Sequence, residues 1–190
     1  RRTGNLDARS LRSDLQGRPL QHIRGVLGVH KMRKNAEVII DYSLFDKLYN
    51  ETCLTERYLG MKEHIAHADV STFDHSVNVA RACYTYVVDN KIKCDLKALI
   101  KAALLHDYYL YDWHKSPKFT FHGFKHALTA AKNAERDYGI TKKEKNIIES
   151  HMFPLNPLHF PRCREAWILI KFDRKCSLSE VFSEKKRRTV

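Results

Sequence analysis

The stretch LIKAALL, Leu99 to Leu105, has a single polar residue, contains no Gly or Pro, and stops on the adjacent pair His106 and Asp107. A run that is apolar on every side predicts a helix buried on every side, so the rest of the chain must pack around it. Titratable groups at the end of such a helix must hydrogen-bond, ionise against a partner, or bind a metal. That demand sets the question for the remaining residues.

Periodicity elsewhere is also helical, and no strand-like alternation is sustained. Segments 41–52 and 55–67 predict a first helical pair, 71–90 a long helix opened by Ser/Thr/Asp capping choices, and 95–110 the buried central helix. Pro117 makes 111–121 a loop. Segment 123–139 predicts a helix closed by Gly139, and 141–152 one opened by the capping box Thr141 to Glu144. PLNPLHFP is a loop, and 164–176 an apolar helix. With 190 residues, 43% of them hydrophobic, the expectation is one all-α domain.

The net charge of +12 raises nucleic acid as a partner, but its location weakens that reading. Residues 1–35 hold nine Lys/Arg against two acids, and 183–190 hold four against one, whereas 36–182 are close to neutral. The expected organisation is therefore a basic N-terminal extension over 1–35, a helical core over 36–182 and a basic tail over 183–190. The ends could touch a polyanion without sequence preference, or be solvated arms. The opening residues RRTGNLDARSLRSD have no apolar signal-peptide core, and no run of about 18 apolar residues predicts a membrane span. The five cysteines form no CxxC pair, which suits packed thiols in a cytoplasmic protein.

His106 and Asp107 have company on the buried faces of other helices. His75 shares a stripe with Val79, Ala82 and Tyr86, and Asp173 with Ala166, Leu169 and Ile170. His151 follows Ile147 and Ile148, and His126 lies on the face of Ala130. One such residue reads as a hydrogen-bonded core histidine. A whole set would cost about 1–3 kcal/mol for each group left unsatisfied, and convergence on a metal removes that cost. Imidazole with carboxylate suits one or two divalent ions of Mn, Fe, Co, Ni or Zn, and the lack of a cysteine cluster argues against structural zinc.

FDHSVNVA, ALLHDY and ILIKFDRKC together resemble the H…HD…D signature of the HD-domain metal-dependent phosphohydrolases, over roughly residues 60–180. The resemblance implies an all-helical bundle with His75, His106, Asp107 and Asp173 as metal ligands. FHGFKHALTAAKNA and IIESHMFPL resemble the segments that add histidines in two-metal branches. They imply His126 and His151 as further ligands and Asp107 as the bridge, with His122 an alternative ligand or a phosphate contact.

The implied activity is hydrolysis of a phosphate ester or phosphoanhydride by a metal-bridged hydroxide, oriented by Asp107. Lys125, Arg174, Lys175 and Arg81 are candidate cations to neutralise charge on phosphorus, and Asp112 or His114 candidate general acids. Leu110 and Tyr111 stand where the guanosine-tetraphosphate hydrolases of this family carry an acidic pair, which disfavours that substrate. No GYP triplet follows the late histidines, which weakens a cyclic-di-GMP reading. The aromatic group Tyr108, Tyr109, Tyr111 and Trp113 could stack a base or pack under the loop. A small nucleotide is the expected substrate, by analogy. The alternative is a catalytically idle metal-binding domain that signals or assembles through its helical surface. The oligomeric state is left open.

Overall fold

A computed structural model describes residues 42–112 and 122–188, and shows an all-α fold with one small hairpin. The extension 1–35, His114 and Trp113 lie outside the described residues.

The centre is the helix expected from LIKAALL, here α4 (Leu96–Leu105). Asp95 opens it, its carboxylate accepting from the Ala98 amide at 3.0 Å. Ala98 to Ile100 and Ala102 to Leu105 are all buried. Packed around it are α1 (Ser43–Cys53), α3 (Thr72–Asp89), α6 (Lys142–Glu149) and α7 (Arg164–Arg188), with α5 (His122–Tyr138) laid against α6. Tyr58, on the short α2 (Glu56–Leu59), is fully buried, and its hydroxyl donates to the Leu104 carbonyl at 2.5 Å.

Local capping chemistry settles several boundaries as expected. Ser71 accepts from the Asp74 amide and starts α3. Thr141 and Glu144 form the complete capping box of α6, at 3.2 and 2.6 Å. Gly139 takes the left-handed conformation, φ +54°, that stops α5 without a Cβ clash.

Four boundaries differ from the sequence expectation. Segment 55–67 is not one helix. α2 runs into a 3-10 turn, Gly60–Glu63, and then a two-stranded antiparallel hairpin, β1 (Ile65–His67) with β2 (Val70–Ser71). Thr72 holds it from beyond β2, donating through amide and hydroxyl to the His64 carbonyl, and Ala68 in the turn adopts φ +56°.

The central helix stops at Leu105 rather than 110. His106 donates its Nδ1–H back to the Ala103 carbonyl at 2.8 Å, and Tyr109 N–H reaches the Asp107 carbonyl, so the chain turns on the two titratable residues. Leu110 completes the turn at φ +59°. α6 stops at Glu149, where Ser150 caps it, so His151 lies in the turn that follows. α7 continues to Arg188 instead of 176, through residues 183–188 that the sequence reading assigned to a tail. Ser177 does not break it, because its hydroxyl donates back to the Asp173 carbonyl at 2.9 Å.

Glu165, at the start of α7, ties that helix to the α3–α4 connection. Its Oε1 accepts from the Asp95 amide at 2.6 Å and the Lys143 ammonium at 3.0 Å. Burial pushes its carboxyl up, but these donors outweigh burial and hold it at about 2. The folded value lies below the ordinary 4.5, so the carboxylate stabilises the fold above that pH, and the contribution is lost as pH falls from 4.5 towards about 2. We therefore expect Glu165→Gln to be less stable than wild type at pH 6 and to show a shallower loss between those values. Urea melts across that range check this, and parallel acid limbs would refute it.

Candidate metal centre

Three elements deliver the first group of side chains. His75 comes from the first turn of α3, His106 from the C-terminal cap of α4 and Asp173 from the middle of α7. The second group comprises Asp107, one residue past that cap, His126 on α5 and His151 after α6. In each triad, {His75, His106, Asp173} and {Asp107, His126, His151}, one donor atom per residue lies within 4.8 Å of the others, and all six residues are buried. The apolar helix end that raised the question thus places its histidine in one triad and its aspartate in the other.

Asp107 faces both groups. Its Oδ2 lies 3.6 Å from His106 Nε2 and 4.0 Å from His75 Nε2, while its Oδ1 lies 3.5 Å from His126 Nε2 and 3.7 Å from His151 Nε2. Asp173 Oδ1 is 3.1 Å from His75 Nε2 and 3.7 Å from His106 Nε2. His126 and His151 approach through their Nε2 atoms at 2.8 Å.

The other ring nitrogens point outward to fixed acceptors. His106 Nδ1 is 2.8 Å from the Ala103 carbonyl and His151 Nδ1 2.8 Å from the Ile148 carbonyl. These bonds put the proton on Nδ1 and turn each Nε2 lone pair into the cluster. His75 Nδ1 meets Glu180 Oε2 at 2.9 Å.

The electrostatics follow from this crowding. Burial alone would raise the Asp107 carboxyl, but His106, His126, His151 and His75 around it hold it well below the usual carboxylate range. Asp173 is likewise pressed down, against burial, by the neighbouring His106 and His75 rings. Burial lowers His75, yet Asp173 and Glu180 overcome it and raise the ring to about 10. Burial and the neighbouring imidazoles depress His151 to about 3. Ionised carboxylates therefore face inward-pointing ring nitrogens.

Two polar atoms in the cluster, His106 Nε2 and Asp107 Oδ1, are buried and make no hydrogen bond among the described residues. Each would cost about 1–3 kcal/mol if nothing satisfied it. Both face the triads, and an all-imidazole and carboxylate donor set suits divalent transition ions. The residues fit a metal pair.

The remaining candidates are placed less centrally. His122 opens α5, and nothing of its side chain is described. Lys125 is exposed on α5, one residue before His126. Asp112 is half-buried and acts electrostatically on Tyr109, whose ring packs edge-on against His126 at 6.0 Å. Arg174 is exposed and donates to the Phe153 carbonyl. Lys175 is exposed with its ammonium 6.0 Å from the Phe172 ring, and Arg81 sits over the Phe45 ring, on α1. Tyr108 and Tyr109 are packed rather than presented. Tyr108 stacks on Tyr58 at 5.9 Å, and Tyr109 shares a 3.1 Å hydrogen bond with Thr72.

Two residues at the site had no place in the sequence reading. Glu180 lies seven positions after Asp173, on the same face of α7, and only the longer helix reveals it. His67, on β1, sets its ring edge-on to His75 at 5.0 Å. It belongs to the hairpin that the sequence reading had as helix.

A family model described as HD domain matches residues 72–176. No curated protein and no solved structure matches the chain. The matched segment begins at the first residue of α3, ends three residues past Asp173, and so contains all six residues of the two triads. It spans more than half of the 190 residues, and with the helical architecture and the paired His/Asp groups it shows that this chain belongs to the HD-domain family, a superfamily of metal-dependent phosphohydrolases.

Proposed function

We propose that this HD domain hydrolyses a phosphate ester or phosphoanhydride of a small nucleotide, using two divalent cations held by His75, His106, Asp173, Asp107, His126 and His151. The observation that carries the reading is the placement of Asp107, one carboxylate oxygen towards each triad. Bound cations would supply Lewis acidity at the phosphoryl group and bring the pKa of water towards neutrality. The chain itself would orient the reacting groups through Asp107 and keep the Nε2 lone pairs of His106 and His151 aimed inward. Lys125, exposed beside His126, would meet phosphate charge, and Asp112, bordering Tyr109, would carry a proton to the leaving group.

No helix among the described residues is long and apolar enough to cross a membrane. All five cysteines are free, and on that chemistry we assign the chain to the cytoplasm.

Chelation followed by add-back of Mn, Fe, Co or Zn tests the reading. Phosphate release would be followed from nucleoside mono-, di- and triphosphates, dinucleotide polyphosphates and an aryl phosphate. We expect metal-dependent turnover on at least one nucleotide. Protein loaded with two ions per chain and inert towards all of them would leave a metal-binding interaction module instead.

A further inference from the structure

We infer that Glu180 makes the two candidate cation positions unequal, so that the one formed by His75, His106 and Asp173 binds more tightly and fills first. The inference rests on the two-cation reading above and adds an order to it.

His75 is fully buried and engaged at both nitrogens, with Asp173 Oδ1 at 3.1 Å on one side and Glu180 Oε2 at 2.9 Å on the other. Glu180 is itself 9% exposed, and its other oxygen, Oε1, is buried with no hydrogen-bond partner among the described residues. A carboxylate in that position keeps charge it does not spend elsewhere. His106 and His151 differ, because their outward nitrogens face the neutral carbonyls of Ala103 and Ile148.

A carboxylate behind an imidazole fixes the ring's tautomer and orientation, and makes the inward nitrogen a stronger donor than a carbonyl does. Charge points the same way. The first position faces Asp173, one oxygen of Asp107 and, through the His75 ring, Glu180. The second has the other oxygen of Asp107 at 3.5 and 3.7 Å, while Asp173 acts on its His151 without forming an ion pair with it. A proton competing for His75 does not reverse the ranking, since a dication gains about twice what a proton gains from one fixed negative charge.

Position in the chain supports a specific role. Glu180 falls outside the segment matched by the family model, which ends at residue 176. It is delivered by two further turns of α7, whose Asp173 and Glu180 share one face. Glu180 is thus a positioning residue, acting on the cation through His75.

The test is titration of metal-free protein with Mn2+, reading the free ion by its solution EPR signal, for wild type, Glu180→Gln, Glu180→Ala and His126→Ala. Wild type should bind in two unequal steps. His126→Ala should keep the tight step and lose the weak one. Glu180→Gln should weaken the tight step by about 10–100-fold and leave the weak one in place. Glutamine retains an oxygen that accepts the Nδ1–H bond, so a merely structural role would leave the tight step unchanged. Glu180→Ala should weaken the tight step at least as much.

Two equal steps in wild type would overturn the inference, as would a Glu180→Gln protein that titrates like wild type or loses the weak step instead. If circular dichroism shows that neither Glu180 variant folds, the comparison of wild type with His126→Ala decides the matter, because retention of only the weak step contradicts the ranking. Unequal binding by a protein without phosphatase turnover would sink the proposed activity and leave this inference standing.

Discussion

Asp107→Ala protein is expected to hold neither cation and to lose at least about a thousandfold of its metal-dependent phosphate release. Among the described residues, its side chain is the one group with an oxygen towards each triad, at 3.6 Å from His106 and 3.5 Å from His126. Among the described residues, its removal leaves four buried imidazoles around one inward carboxylate, Asp173, with Glu180 behind His75. Asp107→Asn tests the charge separately from the volume. It keeps the shape and one carbonyl oxygen, so it should fold like wild type and still lose most of its metal. Elemental analysis beside phosphate release checks both variants. An Asp107→Ala protein with the wild-type metal content would show that the carboxylate does not join the two groups.

The second large effect is on stability. Leu104→Ala should cost about 2–5 kcal/mol, because Leu104 is fully buried in the one helix that the others surround. For a domain of this size that lowers Tm by on the order of 10 °C. The site should feel it as well. Leu104 lies two residues before His106, and its carbonyl receives the Tyr58 hydroxyl, so a cavity there loosens the turn that presents His106 and Asp107. Denaturant melts of metal-free protein measure the first effect, and metal retention after dialysis the second. A loss below about 1 kcal/mol would mean that α4 is not the centre of the core.

What could be read from the sequence was what local chemistry decides. LIKAALL could only be a buried helix, and Thr141 with Glu144 could hardly be other than a helix start. His75 and Val79, four residues apart, are both fully buried on the inward side of α3, while Ala82 and Tyr86 of the expected stripe are half-buried. Such stripes, with the resemblance carried by FDHSVNVA, ALLHDY, ILIKFDRKC, FHGFKHALTAAKNA and IIESHMFPL, singled out the six residues, but their division into two triads was visible only in the structure.

What could not be read was set by distant packing. Glu180 is buried because His75, 105 positions away, receives it, and nothing in SLSEVFSEKK announces that an acid there faces inward. The three serines in that stretch suggest an end, yet Ser177 bonds back to its own helix. Arg174 illustrates the converse. It adjoins Asp173 in sequence, but consecutive residues on a helix point about 100° apart, and its guanidinium goes to Phe153. Seven residues on, the same face returns and delivers Glu180. The hairpin was missed for a similar reason, since its strands are two and three residues long and too short to show alternation.

The cation pair proposed for the two triads is open to direct measurement. Elemental analysis of wild-type protein, purified without a metal-affinity tag and supplemented with Mn or Fe during expression, tests it most directly. Two transition-metal ions per chain are expected. One ion per chain, or none, would contradict it.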